Sequence, residues 1–90
     1  MSSTRGSRAD LSRVEREVLG HMLRICRLKR WLSQQGLASR LGREHSFVSR
    51  VECASQSIDV IVLLDLLKEL DIDPVRFLRE FLEECQRVSG

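Results

Sequence analysis

At 90 residues, 42% of them hydrophobic, the chain has material for one modest core and not for two, so all its elements must serve a single domain. Three Phe, one Trp, a single Pro and no sustained alternation exclude a sandwich or barrel; Leu, Val and Ile recurring at helical spacing predict an all-helical fold. The formal charge of +2 conceals a polarity: residues 1–50 hold eleven Lys/Arg against four Asp/Glu, net +7, and residues 51–90 hold four against nine, net −5. The first half is therefore the candidate for a polyanion.

Residues 1–9, rich in Ser, Arg and Gly, have nothing to bury and predict a disordered basic arm. The domain is expected over residues 10–87, with a frayed tail at 88–90. A long first helix carries Leu11, Val14, Val18, Met22 and Ile25 on one stripe and Leu19, Leu23 and Cys26 on a second. One stripe serves the core; the other is expected to pack on the C-terminal helix or on a second subunit. Ser33 caps a short helix from about Gln34 to Leu41 that buries Leu37, Ala38 and Leu41, and Gly42 ends it. Glu44 is expected to cap the next helix, from about His45 to Glu52. It buries Val48 and Val51, covers Phe47 in part and leaves His45, Ser46, Ser49 and Arg50 outward.

Asp59 caps a fourth helix, apolar nearly all round, and Asp71 ends it because Asp tolerates left-handed backbone. Val60, Leu63, Leu64, Leu67 and Leu70 suffice for the core, leaving Ile61, Val62 and Leu66 as a surplus that needs cover. Asp73 and Pro74 open a last helix bearing Phe77, Leu78, Phe81, Leu82 and Cys85.

Cys26, Cys53 and Cys85 are widely spaced, with no CxxC and no His cluster, so neither a zinc site nor a disulfide framework is indicated and a reducing, cytoplasmic location fits. The polar opening MSSTRGSRAD is not a signal peptide, and the longest apolar run, VIVLL, is far short of a membrane span. No Ser/His/Asp spacing, paired carboxylates or glycine-rich phosphate loop marks an enzyme, and no cofactor or metal is expected.

Two short helices joined by a tight glycine turn, the second presenting polar side chains, form the arrangement that lets a helix enter the DNA major groove. From about Leu19 to Ile72 the chain resembles the helix-turn-helix domain of the phage Cro and repressor type, the XRE family. LSQQGLASRLG, SFVSRVE and LLDLLKELDID carry the resemblance, over about three fifths of the chain. It implies a lambda-repressor-like five-helix bundle, here with an extended first helix. It also implies phosphate contacts from Ser33, Gln34 and Arg43, and base contacts from His45, Ser46, Ser49 and Arg50. Arg50, able to pair in bidentate fashion with guanine, is the strongest of these. Arg27 falls where the family often pairs an arginine with the glutamate ending the recognition helix, here Glu52.

The chain departs from that family at three points. Trp31 and the Cys53–Ser55 segment stand where glycine is common, so both turns are expected to differ in backbone geometry. Gly36 sits inside a helix, at a cost of about 1 kcal/mol relative to alanine.

Two such domains one helical turn apart would read an inverted repeat, so a homodimer is expected. Its interface is open among the surplus face of the first helix, the segment from Ile61 to Leu66, and the C-terminal stripe of Phe77 and Phe81, with Cys85 beside it. The leading expectation is a DNA-binding transcription regulator that acts as a repressor on double-stranded DNA. The alternatives are an antitoxin whose acidic C-terminal helix holds a toxin, and a helical protein-interaction module without DNA binding.

Overall fold

The computed structural model describes the backbone of residues 4–89 and the side chains of residues 13–89. Among these the chain forms five helices and no strand: α1 (Thr4–Lys29), α2 (Gln34–Arg40), α3 (Ser46–Glu52), α4 (Val60–Glu69) and α5 (Pro74–Ser89). Helix α1 begins at Thr4, well before the expected start at Asp10. Extending a helix that is already nucleated costs little, and Gly6 is the one poor helix former on the way. Of the expected arm and tail, residues 1–3 and 90 lie outside the described residues, as does the side chain of Leu11.

Side-chain oxygens set three of the helix starts. Ser33 accepts from the Gly36 amide at 2.9 Å, Asp59 from the Val62 amide at 2.9 Å, and Asp73 from the Val75 amide at 3.1 Å. Helix α3 has no such cap. His45 precedes it in helical backbone, and the Glu44 carboxylate, expected to cap it, is turned elsewhere.

The ends of α1 to α4 share one device. Trp31, Gly42, Ala54 and Asp71 each adopt φ between 57° and 67°. In each case the following amide donates five residues back: Leu32 to Arg27, Arg43 to Ala38, Ser55 to Arg50 and Ile72 to Leu67. This is the Schellman arrangement, which satisfies carbonyls that a helix end would otherwise leave bare. The altered geometry expected where Trp31 and Ala54 replace glycine is therefore absent; both residues take the backbone a glycine would take. Left-handed backbone costs an L-residue about 1–2 kcal/mol, of which glycine's greater chain entropy would return up to about 1. Trp31→Gly and Ala54→Gly are each expected to stabilise the fold by about 0.5–1 kcal/mol, a rise in melting temperature of roughly 2–8 °C. Trp31 is 95% exposed, so its removal sacrifices little packing.

The core is built from every helix. Leu23 of α1, Leu37 and Ala38 of α2, Phe47, Val48 and Val51 of α3, Leu63, Leu66, Leu67 and Leu70 of α4, and Phe77 of α5 form one buried cluster. Helix α1 packs against both α3 and α5, so both of its stripes meet neighbours within the chain, although Ile25 stays 40% exposed.

Three expectations are corrected here. Phe47 is fully buried, not partly covered, because it lies under the α2–α3 turn with the Arg43 guanidinium over its ring. Helix α4 is rotated: Leu66 is core, while Val60 and Leu64 are exposed. A helix apolar all round has no preferred phase, and its neighbours choose one. On α5, Leu82 is exposed at 62%, outside the contact with α1. No helix of the described residues is long and apolar enough to cross a membrane.

Candidate functional site

Helices α2 and α3 pack on each other around Leu37, Ala38, Phe47, Val48 and Val51. Seven residues make barely two turns, so burying one side of α3 forces its other residues out. His45 and Ser46 are exposed there, with Ser49 and Arg50 half-buried beside them. Arg43 is exposed in the turn, and its guanidinium lies over the Phe47 ring, 4.6 Å from the centroid, which holds the charge at the surface beside α3.

A buried polar network holds α3 from behind. Arg27 Nε donates to Glu52 Oε2 at 2.6 Å and Arg27 Nη2 to Glu52 Oε1 at 3.0 Å, a bidentate pair whose side chains are 7% and 4% exposed. Arg27 Nη1 also donates to the Leu32 carbonyl at 2.7 Å, in the α1–α2 turn. Gln34 Nε2 donates to Glu52 Oε1 at 3.0 Å. One network thus ties the end of α1, the start of α2 and the end of α3. Among the described residues no buried side-chain polar atom lacks a partner.

The backbone is equally close. A Cβ on Gly20 of α1 would lie 2.6 Å from the carbonyl oxygens of both Val51 and Glu52. Glycine here lets α1 lie directly on the last turn of α3. From the next turn of α1, Arg16 Nε donates to the Ala54 carbonyl at 3.3 Å.

On the outward side Arg50 is held by its own chain. Its Nε donates to Gln56 Oε1 at 2.7 Å, Nη1 to Ser46 Oγ at 2.5 Å and Nη2 to Glu44 Oε1 at 2.6 Å. The Arg50 hydrogen bond and charge hold the Glu44 carboxyl below the ordinary carboxylate range.

The residues assigned to phosphate are partly engaged. One N–H of the Gln34 side-chain amide is engaged with Glu52, and the Ser33 hydroxyl accepts the Gly36 amide while keeping its own O–H to donate. Ser33, Gln34, Arg43, His45, Ser46, Ser49 and Arg50 all belong to the α2–α3 unit.

The residues assigned to a dimer interface differ in exposure. Ile61 is exposed on α4, Phe81 and Cys85 are half-buried on α5, and Phe77 is 1% exposed in the chain's own core. Phe77 is therefore withdrawn from any interface. Its stripe on α5 first has to cover this chain's core.

Sequence reasoning also missed Gly20, Gln34 as a partner of Glu52, and the Glu44 and Gln56 grip on Arg50. Gly20 gave one signal: a glycine in the middle of a strong helical pattern usually marks a close approach.

The three thiols are free. Burial raises the pKa of Cys26 and Cys85, whereas hydrogen bonding with Ser55 lowers that of exposed Cys53. No group of three His, Cys, Asp or Glu among the described residues is placed to hold a metal ion. Comparison with family models, with curated proteins and with solved structures finds no match to this chain.

Proposed function

We propose that the chain is a sequence-specific, double-stranded DNA-binding transcription regulator of the lambda-repressor-like helix-turn-helix type, acting as a homodimeric repressor on an inverted repeat. One observation carries the reading. Helix α3 is split lengthwise, with Phe47, Val48 and Val51 buried and a polar edge of His45, Ser46, Ser49 and Arg50 outward. The buried Arg27–Glu52–Gln34 network fixes the angle at which that edge is presented. Rigid presentation of a short polar helix is what groove reading requires. The basic charge of residues 1–50 adds attraction to phosphate.

Selection of duplexes from a random library tests this reading, because it reports binding, half-site symmetry and spacing together. A bound sequence of two inverted half-sites about one helical turn apart is expected. Arg50→Ala should then relax preference at one base pair per half-site, by about 1–3 kcal/mol. Arg43→Ala should weaken binding to all duplexes alike and reduce the salt dependence by about one phosphate contact. Titration of both variants against selected and scrambled duplexes at several salt concentrations separates the two effects. Uniform loss in both would remove Arg50 from the base readers.

Exposed Leu82 and Val88 on α5, among Glu80, Glu83 and Glu84, favour one second reading, an antitoxin that holds a basic toxin with this helix while binding its own operator. A toxin gene adjacent in the same operon would distinguish it.

A further inference from the structure

Arg50 reaches the outward face already paired. Glu44 stands two residues before α3, and its carboxylate, free of any capping duty, accepts from Arg50 Nη2 at 2.6 Å and from Ser46 Oγ at 3.5 Å. Both side chains remain open to solvent, Glu44 at 67% and Arg50 at 39%. Gln56 and Ser46 hold the other two guanidinium nitrogens, so the pair has one defined arrangement.

The pair is not chemically exhausted. A guanidinium has five N–H groups; three are used here, and each terminal nitrogen keeps one. Both contacts to Glu44 fall on Oε1, and a carboxylate has capacity for about four. The exposed edge thus presents two donors beside an acceptor. In the major groove a G·C pair presents two neighbouring acceptors, guanine N7 and O6, followed by the N4 amine of cytosine as donor. An A·T pair alternates acceptor, donor and acceptor, and cannot match that edge.

We propose, resting on the DNA-binding reading above, that Glu44 is a specificity-determining residue that reads one G·C pair jointly with Arg50. The guanidinium takes guanine O6 and N7, and the carboxylate takes the cytosine N4 amine. Glu44 has a second effect. An unpaired arginine binds any phosphate strongly, whereas the neighbouring carboxylate offsets its charge and repels phosphate. The pair therefore gains on the right base pair and loses on the bare backbone.

The test uses the full chain, the duplex that it selects from a random library, and that duplex with each other base pair at the Arg50 position. The wild type is expected to prefer G·C there by about tenfold or more. Glu44→Ala, folded by circular dichroism, should still bind duplex DNA but lose about tenfold of that preference and bind scrambled duplexes more tightly. Adding Glu44→Ala to Arg50→Ala should leave the preference at that pair unchanged.

A second probe separates contact from mere positioning. Replacing that cytosine by 2-pyrimidinone, which lacks the N4 amine, should weaken the wild type about tenfold more than it weakens Glu44→Ala. If Glu44→Ala keeps the full preference, or both proteins respond alike to 2-pyrimidinone, Glu44 does not read the pair, and DNA binding itself stands. If the wild type selects no duplex and shows no salt-dependent affinity, the DNA-binding reading fails and takes this proposal with it.

Discussion

Arg27→Ala is expected to cost about 3–5 kcal/mol of stability, a large share of what a domain of this size has. The guanidinium is buried, and its loss leaves the Glu52 carboxylate, 4% exposed, with only the Gln34 amide for company. The Leu32 carbonyl loses its donor at the same time. An uncompensated buried charge is the costly part. Replacing Arg27 and Glu52 together by methionine removes both charges and should cost clearly less than the two single changes summed. Urea denaturation of the three variants at neutral pH gives the comparison. A loss below about 1 kcal/mol for Arg27→Ala would mean that water reaches the pair in solution and that it behaves like a surface ion pair.

The same pair shows what a sequence carries and what it leaves out. Local chemistry was legible: Ser33, Asp59 and Asp73 cap because a short side-chain oxygen next to a periodic run has one obvious use, and Asp71 ends α4 through its tolerance of φ near 57°. Contacts that cross the fold were not. Arg27 and Glu52 lie 25 positions apart, and no periodicity joins them; only the family resemblance placed them together.

Phase was lost wherever a helix is apolar on all sides. Leu66 and Leu64 of α4 are equivalent to any periodicity, yet one is in the core and the other is exposed. Phe77 was assigned to a partner on the same grounds, since a stripe does not say whose core it fills. The polar edge of α3 was legible as a set, but the state of Arg50 was not. It depends on Glu44 failing to cap α3, and therefore on His45 entering helical backbone one residue early.

Gly20→Ala is the substitution expected to separate fold from function, at a cost of about 3 kcal/mol. Its Cβ would sit 2.6 Å from two carbonyl oxygens of α3, and these are backbone atoms that no rotamer change can move aside. The helix-propensity gain of about 1 kcal/mol from replacing a mid-helix glycine offsets only part of this. Relief requires α3 to move away from α1, and that movement stretches the Arg27–Glu52 pair and tilts the edge bearing Arg50.

Gly36→Ala makes the control, because its Cβ would meet the Ser33 hydroxyl at 3.1 Å, the end of a side chain that can rotate. There the propensity gain and the disturbed cap should nearly cancel, within about 1 kcal/mol. Thermal melts of the two variants should therefore diverge although both are the same substitution in a helix. Duplex titration should show Gly20→Ala losing base preference while its circular dichroism stays helical. Equal melting temperatures would show that α1 does not rest on the last turn of α3, and that the network around Glu52 alone sets the position of the outward face.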